Sequence, residues 1–466
     1  MIIRQLYTSC LSEAAYYIES NGEAAIIDPL RDIETYIELA AERNASIKYI
    51  FETHFHADFV SGHIDLGKAS GAPIIFGPGT ITSYPVQVAT DGQAFTLGNI
   101  TITALHTPGH TIESTCWLLK DEDGKDHALF TGDTLFIGDV GRPDLSSGNL
   151  DKDELASMLY QSIQNKIMPL ADDVIVYPAH GPGSACGKNL GPETVSTIGE
   201  QKQFNYALNQ PSKEAFIQKV NEGLEEAPKY FSVNARINKE GYEPMEEVKQ
   251  KGLTRLSPAE FREKIEHSII IDSRPSNVFV HGFVPGSISI GLDGRFAEWA
   301  GSLVSFDEPI ILVCEAGKEE ETVVRLARVG FNKMEGFLEG GYESWVKTGY
   351  PIDMIIEVEA DEFAMDLPHD DNLVVVDVRN ESEFANEHVE DAINVPLKDM
   401  SDPGRIAMLP EEANLYVHCA GGYRSVIACS LIKRQGIHNL RNIEGGFNAI
   451  KEQKSVKKVK DKAVLN

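Results

Sequence analysis

Two sets of side chains in this sequence have the types and spacing to do chemistry. The first is imidazole and carboxylate: His54, His56 and Asp58 close together, then His110, Asp133 and His180 far apart along the chain. The second is a thiol followed by glycines and a cation, Cys419-Ala420-Gly421-Gly422-Tyr423-Arg424-Ser425. Two imidazoles and one carboxylate, as His54, His110 and Asp133 would give, leave coordination positions open. Such a set suits a non-haem Fe(II) at which oxygen and substrate meet. A thiolate at a helix N-terminus, cradled by backbone N–H groups beside a guanidinium, has a lowered pKa and can hold a persulfide anion.

The elements that must position these groups can be read around them. Apolar, β-rich runs precede the donors: a hydrophobic stretch before Thr53, Ile100 to Leu105 before His110, Ala128 to Phe130 before Asp133, and Val174 to Tyr177 before His180. A sheet delivers such residues to loops along one edge, so they can converge despite their separation in sequence. Helical pattern follows from Glu193 to Leu208 and from Lys213 to Leu224. The stretch Asn238 to Glu247 is polar and turn-rich and reads as the start of a linker.

After about residue 245 an internal repeat begins. Each copy has an apolar strand ending in an acidic motif, Ile269-Ile270-Ile271-Asp272-Ser273-Arg274 and Val374-Val375-Val376-Asp377-Val378-Arg379. Each then has a second apolar strand running to a cysteine (Ile310 to Cys314, Leu415 to Cys419), a glycine-containing loop and a helix. Each closes on Glu-Gly-Gly-aromatic, Glu339 to Tyr342 and Glu444 to Phe447. Alternating strands and helices imply a parallel, doubly wound α/β domain in each copy.

The residues Thr53 to His56, His110, the segment Gly132 to Asp144 and the segment Pro178 to Lys188 resemble the persulfide dioxygenases of the metallo-β-lactamase superfamily. Phe59 stands where the superfamily's dinuclear hydrolases place a histidine on a second metal. The two repeats resemble tandem rhodanese domains, with Cys419, Gly422 and Arg424 matching the rhodanese active loop. The resemblance implies an αββα sandwich of the metallo-β-lactamase type over residues 1–247. A degenerate rhodanese-like domain over 254–352 and a catalytic one over 358–455 would follow. Carried over by position, one Fe(II) per chain would be held by His54, His110 and Asp133, with His56, Asp58 and His180 behind these ligands. Arg142 would bind a substrate carboxylate through its fork, and Gly421, Gly422 and Ser425 would surround the persulfide on Cys419. The activity implied is oxidation of a small-molecule persulfide by O₂ to sulfite and thiol. Sulfur transfer through Cys419, forming thiosulfate or running in reverse, would be coupled to it. Cys186, close after His180, reads as a small buried hydrophobe rather than a working thiol.

The first copy departs from the active pattern. Cys314 is followed by Gly317, but Glu319 replaces the arginine, and Glu315, Glu320 and Glu321 crowd the loop. Carboxylates raise a thiol's pKa and repel an anionic persulfide, so this copy reads as a structural spacer. A zinc-dependent glyoxalase II-like thioester hydrolase is the alternative, since His54, His56, His110 and Asp133 would support one zinc.

Composition sets outer limits. A formal charge of −29 over 466 residues excludes sequence-independent nucleic-acid binding, which needs a basic surface. The start lacks the layout of a secretion signal and no apolar run reaches membrane-spanning length. Six scattered cysteines do not form a disulfide framework. A cytoplasmic protein without membrane or nucleic-acid partners is expected, as a homodimer or tetramer.

Overall fold

The computed structural model describes residues 1–145, 150–188, 190–224 and 226–461. The chain divides into two compact units, Met1–Met245 with Ala327–Gly330, and Glu246–Leu326 with Phe331–Asn466.

In the first unit the described residues form two six-stranded sheets. One runs in chain order: β1 (Ile2–Thr8), β2 (Glu13–Ser20), β3 (Glu23–Ile27), β4 (Ser46–Phe51), β5 (Ile74–Phe76) and β6 (Gln87–Val88), antiparallel up to β3 and parallel from there. The other contains β7 (Ala94–Leu97), β8 (Ile100–His106), β9 (Thr115–Lys120), β10 (Asp126–Gly132), β11 (Ile175–Pro178) and β12 (Ser196–Thr197), ordered β12-β11-β10-β9-β8-β7. Strand side chains alternate between faces, so residues two apart share a core. Tyr16 and Ile18, Ile100 and Ile102, Trp117 and Leu119, and Ala128 and Phe130 meet between the sheets, where Phe51 packs on Trp117 with ring centroids 4.5 Å apart. The intervening residues face outward beneath helices: Tyr17 and Ile26 under Glu34–Glu42, Leu118 and Leu129 under Lys152–Ser162. This is the expected αββα sandwich.

Two local expectations are corrected. The helix placed over Glu193 to Leu208 is shorter, Ile198–Phe204, because Ser196 and Thr197 join the sheet as β12 and Thr197 caps the helix with Glu200. The stretch expected to begin a linker is largely helical, ending the helix Tyr230–Glu240 and beginning the helix Met245–Gly252. Its polar residues are helix-capable and one of them, Asn238, is buried, which polarity alone does not reveal.

In the second unit each repeat builds a five-stranded parallel sheet. The first is β13 (Arg255–Leu256), β14 (Ile269–Asp272), β15 (Ile288–Ser289), β16 (Ile310–Val313) and β17 (Met334–Leu338), ordered β13-β17-β16-β14-β15. The second is β18 (Ile356–Val358), β19 (Leu373–Asp377), β21 (Ile393–Asn394), β22 (Asn414–His418) and β23 (Leu440–Ile443), ordered β18-β23-β22-β19-β21. A separate ribbon pairs β20 (His388–Val389) with β24 (Lys458–Val459). The equivalent strand order makes the repeat visible in three dimensions.

Candidate functional site

In the first unit the loops after four strands bring the donors together. His54 follows β4, His110 lies in the loop after β8, Asp133 follows β10 and His180 follows β11. All four, with His56 and Asp58, are buried. Asp133 is the hub. Its Oδ2 lies 3.7 Å from His54 Nε2 and 3.5 Å from His110 Nε2, and its Oδ1 lies 3.4 Å from His180 Nε2. Close backbone approach is needed, and glycine provides it: a Cβ on Gly141 would fall 1.9 Å from the Asp133 carbonyl oxygen.

Outer partners fix the imidazoles. Thr53 Oγ1 donates to Asp28 Oδ2 at 2.8 Å, so at 2.9 Å from His54 Nδ1 it accepts that N–H. His110 Nδ1 donates to the Arg142 carbonyl at 2.8 Å, and His180 Nδ1 to the Ser12 carbonyl at 3.1 Å. In His54 and His110 Nε2 is left with its lone pair turned toward Asp133, the state a metal ligand requires. Burial, then the neighbouring imidazoles, holds His54 well below the ordinary histidine pKa and keeps it neutral.

The donors sort into groups. His54, His110 and Asp133 offer three ligand atoms within 4.8 Å of one another; His56 groups instead with Asp58 and His180, and with Asp28 and Glu52. His56 Nε2 is 3.0 Å from Asp28 Oδ1, and its ring packs against Phe59 with centroids 4.3 Å apart. Asp133 Oδ1 and Oδ2, Asp58 Oδ1 and His180 Nε2 have no hydrogen-bond partner although buried. Buried polar atoms are normally satisfied, so such a cluster fits a cation. The set fits a divalent metal, with His54, His110 and Asp133 as the three-donor facial arrangement.

Arg142 is buried, and its fork grips Asp144, Nε at 3.0 Å and Nη2 at 2.7 Å. A substrate carboxylate there would have to displace or share that partner. Cys186 is buried as expected, but it is also a wall of the site, grouped within 4.8 Å with Asp133 and His180. Burial, then Asp58 and Asp133, pushes its thiol well up. Two contributors escaped the sequence reading. Asp28 (φ 51°) ends its strand in an acidic residue, a signal that could have been followed. Asn238 donates to the carbonyls of His56 and Phe59 at 2.8 Å each and accepts from Ser61 N at 2.9 Å. Nothing in its sequence surroundings marks it.

In the second unit Cys419 follows β22, and Gly422 N donates to its Sγ at 3.1 Å. The helix Tyr423–Arg434 begins immediately after, and Ser425 Oγ closes on the Gly422 carbonyl at 2.9 Å. Gly421 lies in the same open turn, with Asn448 about 4.0 Å from where a side chain would begin. The Arg424 fork is turned to a carboxylate: Nη1 and Nη2 clasp Glu383 at 2.7 and 2.9 Å. Cys314 is buried after β16, and burial pushes its pKa up to about 11.

A family model described as the metallo-beta-lactamase superfamily matches residues 9–180, and one described as a rhodanese-like domain matches 257–348 and 359–453. The mitochondrial hydroxyacylglutathione hydrolase of Saccharomyces cerevisiae is 31% identical over 201 residues, 42% of this chain and 69% of that protein. A crystal structure of a metallo-beta-lactamase from Staphylococcus aureus is similar over 72% of this chain and 98% of its own, with 31% identity and a TM-score of 0.64. The crystal structure of ETHE1 from Myxococcus xanthus covers 51% of this chain and 98% of its own, with 30% identity and a TM-score of 0.45.

Proposed function

Because the chain belongs to the metallo-beta-lactamase superfamily and carries two rhodanese-like domains after that fold, we propose that it is an iron-dependent persulfide dioxygenase with a sulfurtransferase domain. The observation that carries this reading is the sorting of donors: two imidazoles and Asp133 form one group from which His56 is turned away, and Phe59 offers no ligand beside it.

When bound, Fe(II) would supply the one-electron chemistry by which O₂ reacts with a persulfide sulfur. The chain's part is to hold His54, His110 and Asp133 in one protonation state and geometry, and to keep the surrounding volume dry through burial. The overall change balances as persulfide, O₂ and water giving thiol, sulfite and two protons. At the other centre the Cys419 thiolate takes the outer sulfur of a second persulfide, releasing thiol. Sulfite then attacks that sulfur, the S–S bond to Cys419 breaks, and thiosulfate leaves with the thiolate regenerated. Gly422 N–H, already on the sulfur, stabilises the anion at each stage. The same steps in reverse would use thiosulfate to form a persulfide.

The test is oxygen uptake by anaerobically Fe(II)-loaded protein after addition of glutathione persulfide. Uptake that vanishes in Asp133→Ala is expected, with thiosulfate formation lost in Cys419→Ser while sulfite accumulates. If Cys419→Ser released as much thiosulfate as the parent, transfer to sulfite through this residue would be excluded. A second reading, zinc-dependent thioester hydrolysis, is favoured by the resemblance to hydroxyacylglutathione hydrolase. Zinc in the site with thioester cleavage and no oxygen uptake would establish it.

A further inference from the structure

The first rhodanese-like copy has a buried thiol with a raised pKa and a loop of glutamates, yet it is folded. Several of its contacts with the second copy fall on one helix. The helix Tyr423–Arg434, which starts at the Cys419 loop, is held at its beginning, middle and end by residues of the first copy. Tyr423 Oη donates to the Gly291 carbonyl at 3.0 Å. Ser289 N donates to Ser430 Oγ at 3.1 Å. Lys433 Nζ meets Asp353 Oδ1 at 2.8 Å in the segment joining the copies, and Arg434 Nη1 donates to the Gly286 carbonyl at 3.0 Å.

The first of these contacts is next to the chemistry. Tyr423 directly follows Gly422, whose N–H reaches the Cys419 sulfur. The tyrosine ring leaves no room at Gly294, where a Cβ would fall 2.2 Å from its Cζ. The hydroxyl is deeply buried and stays protonated, because burial, then the charges of Asp293 and Glu298, raises its pKa. It therefore acts as a fixed donor to Gly291. In the first copy, beyond Cys314, the residues Gly317, Glu319 and Glu320 line an open cavity of about 480 Å³.

We propose that the first copy is the positioning platform of the sulfur-transfer site. Its segment Gly291 to Gly294 clamps Tyr423 and so fixes the Gly422 N–H against the Cys419 sulfur. Tyr423 is a positioning residue, acting through Gly422 and not on substrate. The inference rests on Cys419 being the nucleophile. Anchoring the first helical residue removes motion from the turn before it, which keeps a single N–H···S geometry for the thiolate and its persulfide.

The experiment uses the full chain with Tyr423→Phe, which removes only the hydroxyl, and Gly294→Ala, which pushes the ring from its seat. Two quantities are read: the pH midpoint of Cys419 alkylation by iodoacetamide, followed by peptide mass spectrometry, and kcat and KM for sulfur transfer from thiosulfate to cyanide. In Tyr423→Phe the midpoint is expected to rise by about half a pH unit. The kcat should fall about 5-fold, as for one lost hydrogen bond, with KM within about twofold. Packing without positioning would leave both midpoint and kcat at parental values in a folded variant, and that result overturns the proposal. If instead the parent's transfer survives Cys419→Ser, the nucleophile assignment fails and the clamp loses its purpose with it. Should Gly294→Ala not fold, Tyr423→Phe alone decides.

Discussion

At the scale of single residues, Phe59 and Cys314 carry the most information because each marks a chemistry withheld. Phe59 is fully buried against His56, beside a half-site in which Asp58, Asp133 Oδ1 and His180 Nε2 already converge. Restoring a nitrogen donor there should complete a second metal position. Phe59→His is expected to raise zinc bound after desalting from one to two per chain, measured by elemental analysis. An unchanged ratio would mean that this position does not decide nuclearity. Burial pushes the Cys314 thiol up to about 11, so little thiolate is present at pH 7. The sign follows directly: a raised thiol pKa suppresses reactivity below it. Alkylation of Cys314 should rise about tenfold per pH unit between pH 8 and 10. Rapid modification at pH 7 would contradict the burial assigned to it.

At the scale of elements, the site depends on which segments reach its loops. The helix Tyr230–Glu240 holds the loop of His56 through three hydrogen bonds to Asn238, all buried. Asn238→Ala leaves two carbonyls and one N–H without partners, at a cost of about 2–3 kcal/mol. Thermal unfolding should show a lower midpoint, and iron affinity should fall as the loop loses its frame. An unchanged midpoint would place the strength of the loop elsewhere. The contrast between legible and illegible features lies here as well. Histidines at strand ends and a cysteine between strand and helix can be read from sequence because local pattern fixes both the element and the residue's place on it. Asn238 and Glu383 cannot, because their roles come from partners far along the chain, His56 and Arg424. The stretch from Asn238 reads as a linker in sequence for the same reason: Asn238 is satisfied by tertiary contacts that no periodicity shows.

At the scale of the whole molecule, the proposed function puts two reaction centres on one chain, and the product of one would be the acceptor of the other. A tether raises the effective concentration of sulfite at Cys419 over that in bulk. Mixing Asp133→Ala with Cys419→Ser gives each centre intact on a different chain. Thiosulfate should form from persulfide more slowly than with an equal amount of parent, and the deficit should shrink as sulfite is added. Equal rates at low protein concentration would show that the covalent link contributes nothing to transfer. Among the described residues no helix is long and apolar enough to cross a membrane.

The hydrogen bonds of Asn238 also bear on where the metal-binding part of this chain can be cut. The stretch recognisable by family ends at residue 180, yet a buried side chain that steadies the histidine loop enters at residue 238. A fragment trimmed to the recognisable stretch would keep His54, His110, Asp133 and His180 and still lack the brace behind the His56 loop. Inheritance of ligands and inheritance of rigidity thus have different boundaries in this fold. The brace behind the donor loop lies more than fifty residues beyond the last of those donors, at Asn238.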